Sequence, residues 1–103
     1  MSEEDGIRLL HDPSRSRYEL RLGDSLVGFL DYQAQRDAVA LIHTEVDRAF
    51  QGRGLGSRLV GGVLDDMRAR GLSVVPVCPF VGSYLRRHPE DADLVAREPA
   101  RGA

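Results

Sequence analysis

At 103 residues the chain is one domain's worth, and its 42% hydrophobic and 29% charged residues are the composition of a folded globular protein rather than a disordered one. Fourteen basic against sixteen acidic residues give a net charge of −2 with no basic block, which removes the bulk attraction on which nucleic-acid binding relies. The single cysteine, Cys78, closes no internal disulfide and builds no structural zinc site; no apolar run approaches the roughly 20 residues of a membrane span; and the acidic opening Met1-Ser2-Glu3-Glu4-Asp5 is unlike a secretion signal, so a cytoplasmic location without membrane partners is expected.

Residues 1–16 read as a loose lead-in with a short edge strand at the apolar island Ile7, Leu9 and Leu10. From Arg17 the pattern changes: Tyr18, Leu20 and Leu22 alternate with Arg17, Glu19 and Arg21, the period of a half-buried strand. Gly23-Asp24-Ser25 is a compact turn, and Leu26 to Tyr32 is the returning strand of a hairpin. Gln33 to Asp37 is a second polar turn, and Val39 to Val46 is the third and most apolar strand. Leu55, Leu59, Val60, Val63, Leu64 and Met67 then fall at helical spacing, with Arg58, Asp65, Asp66 and Arg68 on the other face and Gly71 at the C-terminal cap. Gly61 and Gly62 each cost that helix about 1 kcal/mol relative to alanine, which points to close packing there. Leu72 to Val77 reads as a strand buried on both faces, and Pro79 opens a final helix that runs to about Arg87 and stops before Pro89. Beyond Glu90 only Leu94 and Val95 remain to be buried, and residues 96–103 form a flexible tail. Without repeats or a linker, residues 1–103 are a single domain of the α/β (α+β) class: a mixed, mostly antiparallel sheet of four or five strands packed with two main helices.

The chemistry is concentrated between the third strand and the first helix, at Phe50-Gln51-Gly52-Arg53-Gly54-Leu55-Gly56-Ser57. Glycines at alternate positions let the backbone turn sharply and approach a ligand, and the free N–H groups of a helix start suit a pyrophosphate. A tight strand-to-helix loop without a ligand is the alternative. The spacing is not that of a Rossmann fingerprint, and the Gly-Lys-Ser/Thr ending of a Walker A loop is missing.

Gln51-Gly52-Arg53-Gly54-Leu55-Gly56 resembles the Q/R-x-x-G-x-G/A signature of GNAT-type N-acetyltransferases. Together with His43-Thr44-Glu45-Val46, Val75-Pro76-Val77-Cys78-Pro79-Phe80-Val81 and Tyr84-Leu85-Arg86-Arg87-His88-Pro89-Glu90, it is similar to the minimal GNAT-like family marked by a cysteine and a glycine motif. The likeness runs from about Tyr18 to Val95. It implies acetyl-CoA as cofactor, with Val46, Gln51, Gly52, Arg53, Gly54, Leu55, Gly56, Ser57 and Cys78 around it. Full-size members place two helices between their first two strands, walling the acceptor site. Here Gly23-Asp24-Ser25 leaves room only for a turn, so the acceptor side is expected to be shallow and open.

Acetyl transfer needs a deprotonated amine, a stabilised oxyanion and a proton for the departing thiolate. Val39, Leu41, His43 and Glu45 are expected to share one strand face, which places His43 as a base or as a hydrogen-bonded structural histidine. Glu45 orients His43, pairs with an arginine or acts as the base itself. Cys78 precedes Pro79 near a helix start, a position that favours a thiolate. The resemblance puts it beside the cofactor's thiol end, as covalent carrier or as a wall of the pantetheine channel. Tyr84 is the acid for the thiolate or a packing residue; His88 is a helix cap; Arg53 and Arg58 screen phosphates or are solvated. The expected function is a small N-acetyltransferase acting on an amine, on a protein or peptide. The alternative is a CoA-binding sensor or accessory module without turnover.

Overall fold

The computed structural model describes residues 6–96. The expected features within residues 1–5 and 97–103, the first part of the lead-in and most of the tail, lie outside the described residues. Five strands form one sheet in chain order: β1 (Ile7–Asp12), β2 (Arg17–Leu22), β3 (Ser25–Ala34), β4 (Val39–Val46) and β5 (Val74–Pro76). The first four pair antiparallel; β5 joins β4 in parallel after a crossover through α1 (Leu55–Ala69), and α2 (Pro79–Arg87) follows.

The lead-in is more regular than its composition suggests. Ile7 to Asp12 pair residue for residue with Leu22 to Arg17, so β1 is a full edge strand, and a 3-10 turn at Pro13–Arg15 joins it to β2. The sheet's first connection is therefore this turn and not Gly23-Asp24-Ser25. β5 departs in the other direction. The Leu72 N–H bonds the Met67 carbonyl and the Gly71 N–H bonds that of Arg68, with Gly71 at φ +70°; this Schellman closure keeps Leu72 with the helix. The Val77 N–H turns back to the Val75 carbonyl. Only Val74 of the expected six-residue strand is fully buried, and Leu72 and Val77 are exposed.

One face of the sheet carries the main core cluster. Leu55, Leu59, Val60, Val63, Leu64 and Met67 of α1 and Val81, Tyr84 and Leu85 of α2 form a single cluster with Tyr18, Leu20, Val27, Leu30, Val39, Leu41 and Val74. Each fully buried leucine or valine contributes on the order of 1.5–3 kcal/mol. The two glycines of α1 permit the close packing expected of them: a Cβ on Gly61 would meet the Tyr84 hydroxyl at 2.8 Å, and one on Gly62 the Leu9 side chain at 2.7 Å. The stretch after α2 is tied down by the Arg68 guanidinium, which bonds Asp91 and Asp93, and by Leu94, which enters the core. Val95 bridges Val74, and the Ala96 N–H bonds the Val74 carbonyl, so Ala96 belongs to the sheet edge rather than to a free tail.

Two bulges set which side chains face where. Val27 is the extra residue of β3 opposite Leu20 and Arg21; Ile42 is the extra residue of β4 between the pairs Tyr32–Leu41 and Asp31–His43. The second bulge inverts the face of everything after it. Leu41 is in the core, and beyond Ile42 it is Thr44 and Val46 that turn to the helix side. His43 and Glu45 turn outward, beside Phe29 and Asp31. The expected common face for Val39, Leu41, His43 and Glu45 is corrected accordingly: a strict two-residue period cannot anticipate an inserted residue. Among the described residues no helix covers the outer face, where Arg17 pairs with Asp31 at 2.7 Å and lies 4.0 Å from the Phe29 ring centroid. No helix among them is long and apolar enough to cross a membrane.

Candidate functional site

The chain leaves β4 through a short built corner. The Asp47 side chain accepts from the Ala49 N–H at 2.8 Å and caps a 3-10 turn at Arg48–Phe50; the Gln51 amide donates to the Val46 carbonyl at 3.1 Å. Gly52 and Gly54 follow at φ +83° and +74°, the left-handed region that strains any residue with a Cβ. Gly54 is the N-cap of α1. Among the described residues no side chain caps that helix start, and no acidic residue sits in its first turn, so its leading N–H groups have no side-chain acceptor there.

These groups open onto a groove of about 390 Å³ lined by Thr44 and Val46 of β4, Phe50, Gln51, Gly52, Gly54, Leu55, Gly56 and Ser57 of the loop and helix start, and Phe80 of α2. Gly56 is required by packing: a Cβ there would lie 2.8 Å from the Phe80 ring, which closes one wall. Arg53 reaches over the Phe50 ring at the loop surface. The Leu55 side chain belongs to the core, so only its backbone is available to the groove. Uncapped amides, left-handed glycines and a neutral lining fit a pyrophosphate-bearing ligand.

At Thr44 the groove comes close to where the sheet divides. On β4, β5 reaches only Val39, Ala40 and Leu41, and the Cys78 N–H then bonds the Leu41 carbonyl at 2.8 Å; beyond that point, among the described residues, β4 has no strand on its β5 side. Cys78 is the N-cap of α2, is 5% exposed, and its Sγ lies 3.6 Å from the Thr44 Oγ1. Burial pushes the thiol's pKa up. The Thr44 hydroxyl and the N–H groups of Val81, Phe80 and Thr44 that face the sulphur outweigh it, and the net shift is downward from the ordinary thiol value.

The other expected residues are distributed around this centre. His43 and Glu45 form a pair at 2.8 Å between Nε2 and Oε2, exposed on the outer face of β4 and therefore across the strand from Thr44 and Val46. Tyr84 does not line the groove. It stacks on His88 at a ring-centroid distance of 3.9 Å and presents its hydroxyl over Gly61, in a second cavity of about 370 Å³ that shares Ser57 with the groove. Arg58 donates to the Ile7 carbonyl at the far side of α1, and Ser57 is approached by Arg87 at 3.5 Å. Thr44 and Phe80 were not expected. Thr44 is hidden by the Ile42 bulge, whereas an aromatic residue two positions after a cysteine at a helix start was a readable signal for Phe80.

A glycine-rich helix start stands beside two parallel strands that part, and the comparisons with known proteins say which family builds this arrangement. A model of the GCN5-related N-acetyl-transferase family matches residues 17–94, and the chain belongs to that family. Protein NATD1 of Xenopus tropicalis is 30% identical over 92 residues, covering 86% of this chain and 84% of that protein. In fold the chain is similar to a GCN5-like protein of Staphylococcus aureus, with a TM-score of 0.69 at 15% identity over 92% of this chain and 93% of that one. It is also similar to N-acetylglutamate synthase of Neisseria gonorrhoeae, solved with coenzyme A and N-acetyl-glutamate, with a TM-score of 0.56 at 22% identity over 84% of this chain and 22% of that one.

Proposed function

We propose that the chain binds acetyl-CoA in the groove at the start of α1 and transfers the acetyl group to an amine on a protein or peptide. The observation that carries this reading is the uncapped N-terminus of α1 behind Gly52 and Gly54, which shares its groove with Thr44, the residue in contact with Cys78. The coenzyme complex of the structurally similar synthase supports the same reading.

Backbone amides from Gly52 to Ser57 would hold the pyrophosphate, with the Thr44 and Val46 edge of β4 alongside the pantetheine. Acetyl-CoA supplies an activated thioester when bound. The protein's part is orientation, charge stabilisation and proton movement. The β4 backbone beyond Leu41, unpaired on its β5 side, offers main-chain donors where an oxyanion develops. Cys78, held by Thr44, serves there as wall or acyl acceptor through Sγ. The His43–Glu45 pair, exposed on the outer face of β4, would take a proton at the imidazole from an amine that approaches from that side. Tyr84, packed between α1 and His88, is read as a packing residue. The open outer face gives a small polar amine few convergent groups, whereas a macromolecular amine brings its own surface.

Calorimetry of the full chain with acetyl-CoA, alongside dephospho and thiol-lacking analogues, tests the binding half. A dissociation constant on the order of micromolar is expected, weakened by loss of the 3′-phosphate or the acyl-thiol end. Thiol release with peptide amines as acceptors tests transfer. No heat with acetyl-CoA at millimolar concentration contradicts the reading.

A further inference from the structure

The sheet has two edges, and the chain treats them differently. Along β5 the edge is covered by Val95 and Ala96. Along β1, among the described residues, Arg8 to Asp12 make no main-chain hydrogen bond beyond those with β2. An unpaired edge of this kind is a template for another strand.

The side chains on that edge carry a pattern. Ile7, Leu9 and His11 turn toward the helix layer: Ile7 is in the core, Leu9 packs against it, and His11 contacts Tyr18, Tyr32 and Arg70. Arg8, Leu10 and Asp12 therefore share the outer face, and Leu10 is 37% exposed there. Arg8 stands opposite Arg21 of β2, a like charge. The Arg21 guanidinium is occupied by Glu19 at 2.9 Å and by the Asp24 carbonyl at 3.0 Å, and Arg8 has no carboxylate partner among the described residues. At the other end Asp12 stands opposite Arg17 of β2, accepts from Ser14 and lies 3.7 Å from the Arg15 guanidinium, and its half-exposed carboxylate has room for a further donor.

We infer that β1 is a homodimer interface, in which Arg8 to Asp12 of one copy pair antiparallel with the same segment of a second copy about a twofold axis at Leu10. In that register Leu10 faces Leu10 and each Arg8 faces the Asp12 of the other copy, with Leu9 opposite His11. It is the one antiparallel register that neutralises both charges. A shift of two residues either way sets a charge against Leu10, and a shift of four sets Arg8 against Arg8 or Asp12 against Asp12. A shift of one breaks the pleat. The twofold runs perpendicular to the sheet, so both helix layers lie on one side and the two Arg8, Leu10 and Asp12 triplets meet on the open side, which no described helix covers. The glycine groove lies near the opposite edge, at β4 and α1, and stays accessible in each copy.

Sedimentation velocity on the full chain, from micromolar to millimolar concentration, tests this. A concentration-dependent dimer is expected. Arg8→Asp and Asp12→Arg singly weaken it at least tenfold, the double variant Arg8→Asp/Asp12→Arg restores it, and Leu10→Lys abolishes it; circular dichroism reports that each variant is folded. In the unmodified chain, amide exchange along Arg8 to Asp12 slows as concentration rises. A monomer at every concentration overturns the inference, as does a dimer indifferent to Arg8→Asp and Leu10→Lys, or single reversals that the double variant fails to rescue.

Discussion

Cys78 and Thr44 meet where β4 and β5 part, with Sγ and Oγ1 3.6 Å apart, although 34 positions separate them in the chain. The contact joins the N-cap of α2 to the strand residue that an inserted Ile42 turns toward the groove. One sulphur is thereby placed against Thr44, a residue that lines the cleft at the start of α1.

Thr44→Val removes the hydroxyl while keeping the shape. A hydroxyl that stabilises the thiolate lowers the thiol's pKa, so its loss leaves burial less opposed and the pKa rises toward the ordinary 9.0 or above. The pH dependence of alkylation by a thiol reagent measures this directly, because the chain has one cysteine and no lysine to compete. The midpoint of the wild type is expected below 9.0 and that of Thr44→Val higher than the wild type's.

His43 and Glu45 stand on the opposite face of β4 from the groove. If they serve the acceptor amine, His43→Ala lowers kcat/KM for a peptide amine by about 10²-fold or more, the range for general base catalysis, and leaves acetyl-CoA affinity within about twofold. Glu45→Gln, which keeps a hydrogen-bonding partner for the imidazole, has a smaller effect. Equal losses in acetyl-CoA affinity would instead place the pair in the cofactor site.

Gly54→Ala introduces a Cβ that meets no protein atom within 4 Å, at a φ of +74°. Strain of roughly 1–2 kcal/mol is the expected stability loss, since a left-handed residue with a side chain is penalised by that much. The methyl also projects where a pyrophosphate would approach the backbone. Acetyl-CoA affinity should fall at least tenfold in a protein that still melts cooperatively; full affinity would separate the loop's glycine from binding.

Away from the site, His11 makes folding sensitive to mild acid. Burial and the neighbouring Arg70 hold its pKa below the ordinary 6.5, against the smaller opposing pull of Asp66 and Asp12; Tyr32 and the stacked Tyr18 complete its surroundings. A histidine that protonates less readily folded than unfolded leaves the unfolded chain binding more protons as pH falls through 6.5. Stability is thus fully present above 6.5 and declines below it, before the depressed carboxylates Asp12, Glu90 and Asp93 titrate. Thermal melts from neutral pH to about pH 5 should show this slope, and His11→Gln should flatten it.

The elements that periodicity made legible were those whose pattern is uninterrupted. β4 matched its expected bounds at both ends because Val39 and Val46 are bracketed by polar turns, and the expected apolar stripe from Leu55 to Met67 lies within α1 and is buried. The Gly52-Arg53-Gly54 loop was legible for the same reason: its spacing states its backbone requirement. β1 was underread because Arg8, His11 and Asp12 dilute its apolar pattern, and only pairing with β2 reveals it. The error over His43 has a single cause. Nothing in Leu41-Ile42-His43 marks Ile42 as an inserted residue, and that one residue decides which side chains of β4 reach the groove.

The central claim is that the coenzyme is held at the start of α1 and along the parted edge of β4. Backbone amide chemical shifts of the full chain, followed by NMR during titration with acetyl-CoA, test it most directly. The account predicts the largest changes at Gly52, Gly54, Gly56, Ser57, Thr44 and Val46, saturating together, with little change along β1. Changes centred on the second cavity at Gly61 and Tyr84, or no saturable change at all, would contradict it.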